Sequence, residues 1–253
     1  MLLKKETLLI GKSLLILEET DSTNAFLQRI IKDIPTEGTV VWAKNQYAGR
    51  GQAHNVWESE SNKNLTFSVL LYPKFLNLSH LFYLNKIVAL AIFKALKNYL
   101  SHEKIEIKWP NDILINKKKI CGILIENNLD QRLNASILGI GININQTQFS
   151  PWIDFKTTSL KKITQKDYDL HEVLSEINYW LEYYYLALKS HFFDSIDREY
   201  LQNLFGYQEE NKFKIQEKEF IGSIIGVHKD GRLAVHHDGS VKNYYFKEIE
   251  YVL

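Results

Sequence analysis

The sequence predicts an α+β fold in which helices pack on one mixed β-sheet, followed by a small all-β unit. Short β-branched runs alternate irregularly with helical segments, and two long segments carry apolar residues at spacings of three and four. After residue 205, short strand-like runs follow one another with turn signals between them. We therefore predict a larger domain over residues 1–205 and a smaller domain over residues 206–253.

In the larger domain the elements can be assigned in chain order. Residues 14–18 indicate a strand, and Asp21-Ser22-Thr23-Asn24 is a polar break that suits the N-terminus of a short helix over 25–31. Further strands are predicted over residues 39–43, 65–71, 105–107, 113–115, 120–125 and 135–144, and long amphipathic helices over 81–100 and 170–191. The lysine-rich stretch 116–119 between two strands indicates a hairpin tip.

The sequence of the smaller domain predicts strands joined by tight turns. Strands are predicted over residues 212–215, 219–227, 233–236 and 243–246. Lys229-Asp230-Gly231 and His237-Asp238-Gly239 are turn signals between them. Because so short a unit has little core of its own, we expect it to dock on the larger domain.

Composition excludes several classes of protein. The chain has 253 residues with 31 basic and 30 acidic side chains, a formal net charge of +1, which argues against an overall basic nucleic-acid binder or a polybasic membrane-surface protein. No signal peptide and no run of 18 apolar residues is visible, so no membrane span is predicted. Cys121 is the single cysteine, which excludes an intrachain disulfide and a cysteine-based zinc site. We expect a cytoplasmic protein.

Two segments suggest binding of anions. In Gly49-Arg50-Gly51, glycines allow close backbone approach and the arginine offers a fork of donors to a carboxylate or phosphate; an ordinary surface loop remains the alternative. Lys119 is the last of three consecutive lysines and begins a strand that is predicted to be buried. At that position its ammonium group can point into a cleft and carry a fixed positive charge there. Cys121 on that strand is interpreted as a core residue rather than a nucleophile.

Two further segments suggest a ligand-binding surface. In Lys108-Trp109-Pro110-Asn111-Asp112, proline fixes the turn, and the last two residues offer oxygens for a hydrated magnesium ion or a hydroxyl, unless this is a plain turn. Along residues 139–145, alternation predicts that Gly139, Gly141, Asn143 and Asn145 share one bare, polar sheet face. His236 and His237 are adjacent in a predicted strand and therefore face opposite ways, which makes a poor metal site.

Taken together, these segments resemble the biotin–protein ligases in order and spacing. The matching stretches are residues 21–24, 46–51, 64–68, 108–112, 119–126 and 139–143, and the resemblance runs from about residue 15 to the end of the chain. It implies a catalytic domain like that of biotin ligases and class II aminoacyl-tRNA synthetases, with a small C-terminal SH3-like β-barrel. It also implies formation of biotinyl-5′-AMP from biotin and ATP with Mg²⁺, and transfer of biotin to a lysine of a biotin carboxyl carrier domain.

The resemblance also implies roles for individual residues. Arg50 and Lys119 are the expected catalytic cations, which offset the repulsion between carboxylate and triphosphate. Biotin binding is expected of Ser22, Thr23, Asn24, Gln46, Gly49, Arg50, Gly51, Lys119, Gly122 and Leu124. ATP binding is expected of Arg50, Trp57, Asn111, Asp112, Lys119 and Asn143. Magnesium is expected to bind through the phosphates, with Asn111 and Asp112 as the only candidate protein ligands.

In the glycine loop the sequence departs from the family pattern. Gln52 stands where many members carry an arginine, and Ala53 and His54 replace basic and glycine residues. We therefore expect weaker retention of the adenylate, with His54 supplying part of the missing charge below neutral pH. About a dozen residues precede the first strand, so we expect no helix-turn-helix domain and no DNA binding.

Other functions stay open at this point. A lipoate–protein ligase or octanoyltransferase shares the fold, although the stretch from Lys108 to Asp112 and the C-terminal unit favour biotin. A degenerate module that binds biotin or a carrier protein without turnover is the alternative outside the enzymes. The expected partner is a biotin carboxyl carrier domain, with neither DNA nor membrane involved, and the chain is expected to be a monomer or a homodimer.

Overall fold

The computed structural model describes residues 6–33, 35–52, 55–129 and 133–252. Its strands are β1 Leu14–Thr20, β2 Val40–Gln46, β3 Leu65–Leu71, β4 Ile105–Lys108, β5 Asp112–Ile115, β6 Lys118–Leu129, β7 Leu133–Ile142, β8 Glu210–Ile215, β9 Lys218–Val227, β10 Leu233–His237, β11 Ser240–Tyr244 and β12 Glu250–Tyr251. Its helices are α1 Thr23–Ile30, α2 Phe82–Lys97, α3 Pro151–Asp154, α4 Leu160–Thr164, α5 Leu170–Lys189 and α6 Phe193–Gln202, with 3₁₀ turns at Ile31–Asp33 and Leu78–His80.

The larger sheet is mixed, as predicted. Its strand order is β1-β2-β3-β7-β6-β5-β4. Strands β1 and β2 run parallel and the other neighbours are antiparallel. Between β5 and β6, Asn116 and Lys117 have φ values of 49° and 65°, which two-residue hairpin turns with a left-handed backbone require. This confirms the predicted hairpin.

The two faces of this sheet carry unequal cores. Helices α2 and α5 pack together on one face over the main hydrophobic core. The other face holds a small cluster in which Leu27 of α1 packs on strand residues, among them Leu70 and Ile137. Side chains two residues apart on a strand share a face, so the face that meets α1 at Ile137 continues at Gly139 and Gly141. The apolar floor under α1 therefore changes to glycine backbone near the start of the helix.

Helix α2 is the most deeply buried helix of the main core. The stretch Leu78–Lys97 is long and apolar enough to cross a membrane by length and composition, with a mean hydropathy of 1.3, but 67% of its most apolar window is buried inside the protein. It packs against α5, α6 and the sheet. These contacts are those of a core helix.

The C-terminal unit is a five-stranded antiparallel sheet of order β11-β10-β9-β8-β12, in agreement with the small β unit that the sequence predicts. It docks on the larger domain, as expected. Trp109 Nε1 donates to the Gly231 carbonyl at 2.8 Å, and Lys86 Nζ donates to the Val227 carbonyl at 3.3 Å. Buried residues of both parts belong to one hydrophobic cluster. The division at residue 205 stays a prediction.

Several elements differ from the prediction. Helices α3, α4 and α6 were not foreseen. Strand β7 ends at Ile142, two residues before the predicted end. The predicted face of alternating glycines and asparagines therefore stops at Gly141, and its extension to Asn143 and Asn145 is wrong.

Candidate active site

A cavity of about 350 Å³ opens on the glycine-floored face of the larger sheet. This volume lies at the small end of the range for ligand sites. Its walls come from the start of α1, the end of β2, the loop that follows β2, the β4–β5 turn, strands β6 and β7, and the last strand of the C-terminal unit. Distant parts of the chain thus meet at one site.

Most of the predicted site residues lie in this cavity wall. They are Ser22, Thr23, Asn24, Gln46, Arg50, Gly51, Trp57, Asn111, Asp112, Lys119, Gly122 and Leu124. Gly49 and Asn143 do not line it. The structure thus brings together twelve of the fourteen predicted residues.

Asp21 organises the start of α1. Its carboxylate accepts two hydrogen bonds from Arg29, at 2.7 and 3.0 Å, and one from the Ser22 backbone N–H at 2.7 Å. The hydrogen bond from Arg29 holds the pKa of the Asp21 carboxyl well below its usual range. Ser22 then caps the helix, since its Oγ accepts from the Ala25 N–H at 3.1 Å. The polar break seen in the sequence therefore fixes where Thr23 and Asn24 enter the cavity.

A chain of buried and partly buried hydrogen bonds crosses the cavity floor. Gln46 Oε1 accepts from the Thr23 backbone N–H at 2.7 Å and from Thr23 Oγ1 at 3.1 Å. Ser68 Oγ lies 2.6 Å from both Thr23 Oγ1 and Asn24 Oδ1. Ser68 is fully buried on β3 beneath these two residues. Because each group is held by its neighbour, the polar end of the cavity is ordered before any ligand arrives.

The loop after β2 folds back on itself. The Trp57 N–H donates to the Gly49 carbonyl at 3.0 Å, and the Gly51 N–H donates to the Asn55 carbonyl at 2.6 Å. A Cβ at residue 49 would lie 2.7 Å from the Trp57 carbonyl oxygen, so only glycine fits there. Gly49 therefore allows the two halves of the loop to pack closely, and it does not line the cavity. Ala53 and His54 lie outside the described residues, and the predicted charge contribution of His54 stays a prediction.

Among the described residues that line the cavity, three carry positive charge: Arg50, Lys108 and Lys119. Lys119 Nζ lies 2.8 Å from Asp112 Oδ1, and 5.5 Å from the centre of a Trp57 ring. Burial lowers the pKa of Lys108, whose ammonium lies 5.3 Å from the centre of the Tyr251 ring. Lys108 was part of a predicted motif but was not among the predicted site residues.

The C-terminal unit forms a wall that sequence reasoning missed. Phe246, Ile249, Glu250 and Tyr251 line the cavity. No local signal marks them, because their approach to the cavity depends on how the two sheets dock. Of the described residues, these four are the contribution of the C-terminal unit to the cavity wall: Glu250 and Tyr251 from β12, and Phe246 and Ile249 from the segment before it.

Three other predictions can be compared with the structure. Asn143 is buried and does not line the cavity, and its Nδ2 donates to the Thr158 carbonyl at 3.2 Å; its contact with ATP stays a prediction. Cys121 is fully buried, and burial raises its thiol pKa well above the usual value, as expected of a core residue. His237 is buried whereas His236 is exposed, which confirms that they face opposite ways.

With this geometry in view, the comparisons identify the class of protein. Residues 16–143 match the model of the Biotin/lipoate A/B protein ligase family, and the chain belongs to that family. Its structure superimposes on the biotin protein ligase of Aquifex aeolicus in complex with biotin and ATP with a TM-score of 0.80 and 29% identity, covering 95% of this chain and 99% of that one. This confirms the predicted fold, including the C-terminal unit.

Two relatives make the similarity more specific. The Bifunctional ligase/repressor BirA of Bacillus subtilis is 29% identical over 248 residues, which is 97% of this chain and 76% of that protein. The Biotin--[acetyl-CoA-carboxylase] ligase of Paracoccus denitrificans is 33% identical over 131 residues, 51% of this chain and 53% of that protein. The resemblance to biotin–protein ligases that the motifs indicate is thereby confirmed.

Proposed function

We propose that this protein is an ATP-dependent biotin–protein ligase. In the first step, a biotin carboxylate oxygen attacks the α-phosphorus of ATP, and biotinyl-5′-AMP and pyrophosphate form. In the second step, the neutral amine of a carrier-domain lysine attacks the acyl carbon, an amide bond forms, AMP leaves, and the amine proton is released. The carrier belongs to a biotin-dependent carboxylase, and we expect the reaction in the cytoplasm.

One observation carries this proposal: two cations and a preformed polar pocket meet on the same glycine floor. Arg50 and Lys119 face the cavity together with Thr23 and Gln46. Two anionic substrates repel each other, and fixed cations in a partly dry site offset that repulsion without reorganisation. The Aquifex aeolicus protein that this chain superimposes on was solved with biotin and ATP bound.

We assign biotin to the floor formed by α1, β2 and β6. Thr23 and Gln46 present ordered polar groups there, and Gly122 and Leu124 form the wall. The nucleotide is assigned to the side where Trp57, Asn111 and Asp112 line the cavity. Lys119 lies between the two regions and can contact the carboxylate of one substrate and the phosphate of the other.

Magnesium fits the nucleotide side through two oxygen donors. Asp112 Oδ1 is buried and pairs with Lys119 Nζ at 2.8 Å, so the other oxygen of this carboxylate is the candidate ligand. The Asn111 side chain donates its amide to the Ile123 carbonyl at 2.9 Å, which leaves its oxygen available. Searching the described residues finds no group of three acidic, histidine or cysteine side chains that could hold a metal. We therefore propose that Mg²⁺ binds mainly through the phosphates, where it supplies neutralising charge to their oxygens.

The C-terminal wall favours biotin over lipoate or octanoate as the acid. The similarity to the Aquifex aeolicus biotin protein ligase extends over 95% of this chain, so it includes the unit that carries Phe246 and Tyr251. The shared family model, in contrast, ends at residue 143 and covers both biotin and lipoate ligases.

ATP–pyrophosphate exchange with the purified protein tests this proposal. We expect exchange that depends on biotin and magnesium, and none with lipoate or octanoate. Incubation with a biotin carboxyl carrier domain should then release AMP and leave biotin on one lysine. Exchange supported by lipoate and not by biotin would identify lipoate as the substrate. Biotin binding without any exchange would indicate a binding module rather than an enzyme.

A further inference from the structure

We infer that Glu126 is a positioning residue that holds the catalytic cation Arg50 and the pocket residue Asn24 in one arrangement. The inference rests on the proposed function. Glu126 lies on β6 and is the last residue of the matching stretch 119–126. It does not itself line the cavity. It acts through the two residues that it contacts.

One carboxylate oxygen of Glu126 receives both contacts. Asn24 Nδ2 donates to Glu126 Oε2 at 2.7 Å, and Arg50 Nη2 donates to the same oxygen at 3.2 Å. Asn24 belongs to α1, Arg50 to the loop after β2, and Glu126 to β6. Glu126 therefore joins the biotin side of the cavity to the glycine loop.

The orientation of the Asn24 amide is fixed by this contact. Its nitrogen also donates to the Leu124 carbonyl at 3.2 Å, so both amide hydrogens are engaged within the protein. Its oxygen faces Ser68 Oγ at 2.6 Å. A Cβ at residue 139 would lie 2.4 Å from that oxygen, so Gly139 makes room for the amide. Asn24 is therefore placed to hold Glu126 rather than to donate a hydrogen bond to a ligand.

The orientation of Arg50 follows in turn. A guanidinium carries five N–H donors in a rigid fork, and Glu126 engages Nη2. The N–H donors that Glu126 does not engage can then face an anion in the cavity. Because the Arg50 side chain is 45% exposed, the ion pair itself contributes little to stability. Its value is geometric: it limits the directions in which a long, solvated side chain can point.

The test separates charge from packing. Glu126→Gln removes the carboxylate charge and keeps an oxygen that can accept from Asn24. We expect kcat for biotin-dependent pyrophosphate exchange to fall about tenfold, while the Kd of biotin from calorimetry changes less than threefold. Glu126→Asp keeps the charge on a shorter side chain and should retain more activity than Glu126→Gln.

A double-mutant cycle with Arg50→Ala decides whether Glu126 acts through Arg50. In the Arg50→Ala background, Glu126→Gln should cause no further loss of exchange, because the group that it positions is gone. Glu18→Gln is the matched control, since Glu18 pairs with Lys44 at 2.6 Å on an edge strand that does not line the cavity. It should leave exchange unchanged.

Three results would overturn the inference. A wild-type rate of pyrophosphate exchange by Glu126→Gln would show that Arg50 does not need a carboxylate to hold it in position. An equal loss in both backgrounds would show a structural role unrelated to Arg50. Activity of Glu126→Asp no better than that of Glu126→Gln would show that the charge is irrelevant. All three require a wild-type protein with biotin-dependent exchange, and its absence would instead contradict the proposed function.

Discussion

The indole of Trp57 rests directly on the backbone of Gly141. A Cβ built on Gly141 would lie 2.4 Å from Trp57 Cε2, and one built on Gly122 would lie 3.0 Å from Trp57 Cζ3. Non-bonded carbon atoms do not approach so closely. The two glycines thus form the surface on which the ring lies, and this explains why adjacent strands both carry glycine at this level of the sheet.

Gly141→Ala is therefore expected to displace Trp57 from the floor. The ring has to move toward the cavity, on the side that we assign to the nucleotide. We expect the KM for ATP in pyrophosphate exchange to rise at least about tenfold, with a change in tryptophan fluorescence and little change in unfolding free energy. Gly226→Ala is the control, because a Cβ there meets no atom within 4 Å. An unchanged KM in Gly141→Ala would argue against nucleotide binding beside Trp57.

Lys119→Ala should remove most of the adenylating activity. Lys119 Nζ is placed beside Asp112 and Trp57 in the cavity, where a fixed positive charge stabilises the developing charge of the first step. We expect kcat for pyrophosphate exchange to fall about 10²- to 10³-fold, since removal of one stabilising group from a preorganised site typically has that effect. Lys118→Ala, one residue earlier on the exposed hairpin, should behave as wild type. Equal activity of the two variants would remove Lys119 from the mechanism.

Elements with strong local patterns could be predicted from the sequence. Strand β3 was predicted with the observed ends, because all seven of its residues are buried and its composition is nearly all apolar or β-branched. The apolar spacing also predicted α2 and α5 to within three residues at each end. Twelve of the fourteen site residues predicted on the resemblance meet in one cavity, because the motifs lie at strand ends and helix starts that the sheet brings together.

Features that depend on tertiary contacts could not be predicted in this way. Helix α6 is short and mostly polar and buries only Ile196 and Tyr200, so few apolar residues mark it in the sequence. Asn143 was placed on the glycine face by extending strand alternation past Ile142, where the strand ends. The C-terminal wall is placed by contacts between distant residues, such as that between Trp109 and Gly231, which are 122 residues apart.

That contact leads to a prediction about the C-terminal unit. Trp109→Phe keeps an aromatic ring in the site and removes the Nε1–H that donates to the Gly231 carbonyl at 2.8 Å. We expect a loss of about 1 kcal/mol in the free energy of unfolding by urea. Because the same docking holds Phe246 and Tyr251 at the cavity, the KM for ATP should rise several-fold.

A second tryptophan offers the comparison. Trp152 is 74% exposed on α3, so Trp152→Phe should leave the unfolding free energy unchanged. If Trp109→Phe has the stability and the KM of wild type, the hydrogen bond does not hold the C-terminal wall in place.

Asp21 should make stability depend on pH in the acidic range. Its pKa is lowered in the folded protein, chiefly by the hydrogen bonds from Arg29, whereas in the unfolded chain it is about 3.9. The folded state then binds fewer protons, so the contribution of Asp21 is fully present above the unfolded pKa and is lost as the pH falls through the folded pKa. Since its side chain is 30% exposed, this contribution is at most about 1 kcal/mol.

Urea unfolding of Asp21→Asn and of the wild type at pH 7, 5 and 3 measures this contribution. We expect the variant to be less stable at pH 7 and pH 5, and the difference to shrink at pH 3. Below a pH of about 3.9 the Asp21 carboxylate of the unfolded chain takes up a proton while that of the folded protein stays charged, so protonation favours the unfolded state. Asp167→Asn serves as the control: Asp167 pairs with Lys161 at 2.7 Å but is 71% exposed, and its loss should change little at any pH. A difference between wild type and Asp21→Asn that stays constant from pH 7 to pH 3 would mean that the carboxylate charge does not stabilise the start of α1. In that case the cap formed by Ser22 would be sufficient to place Thr23 and Asn24 in the cavity.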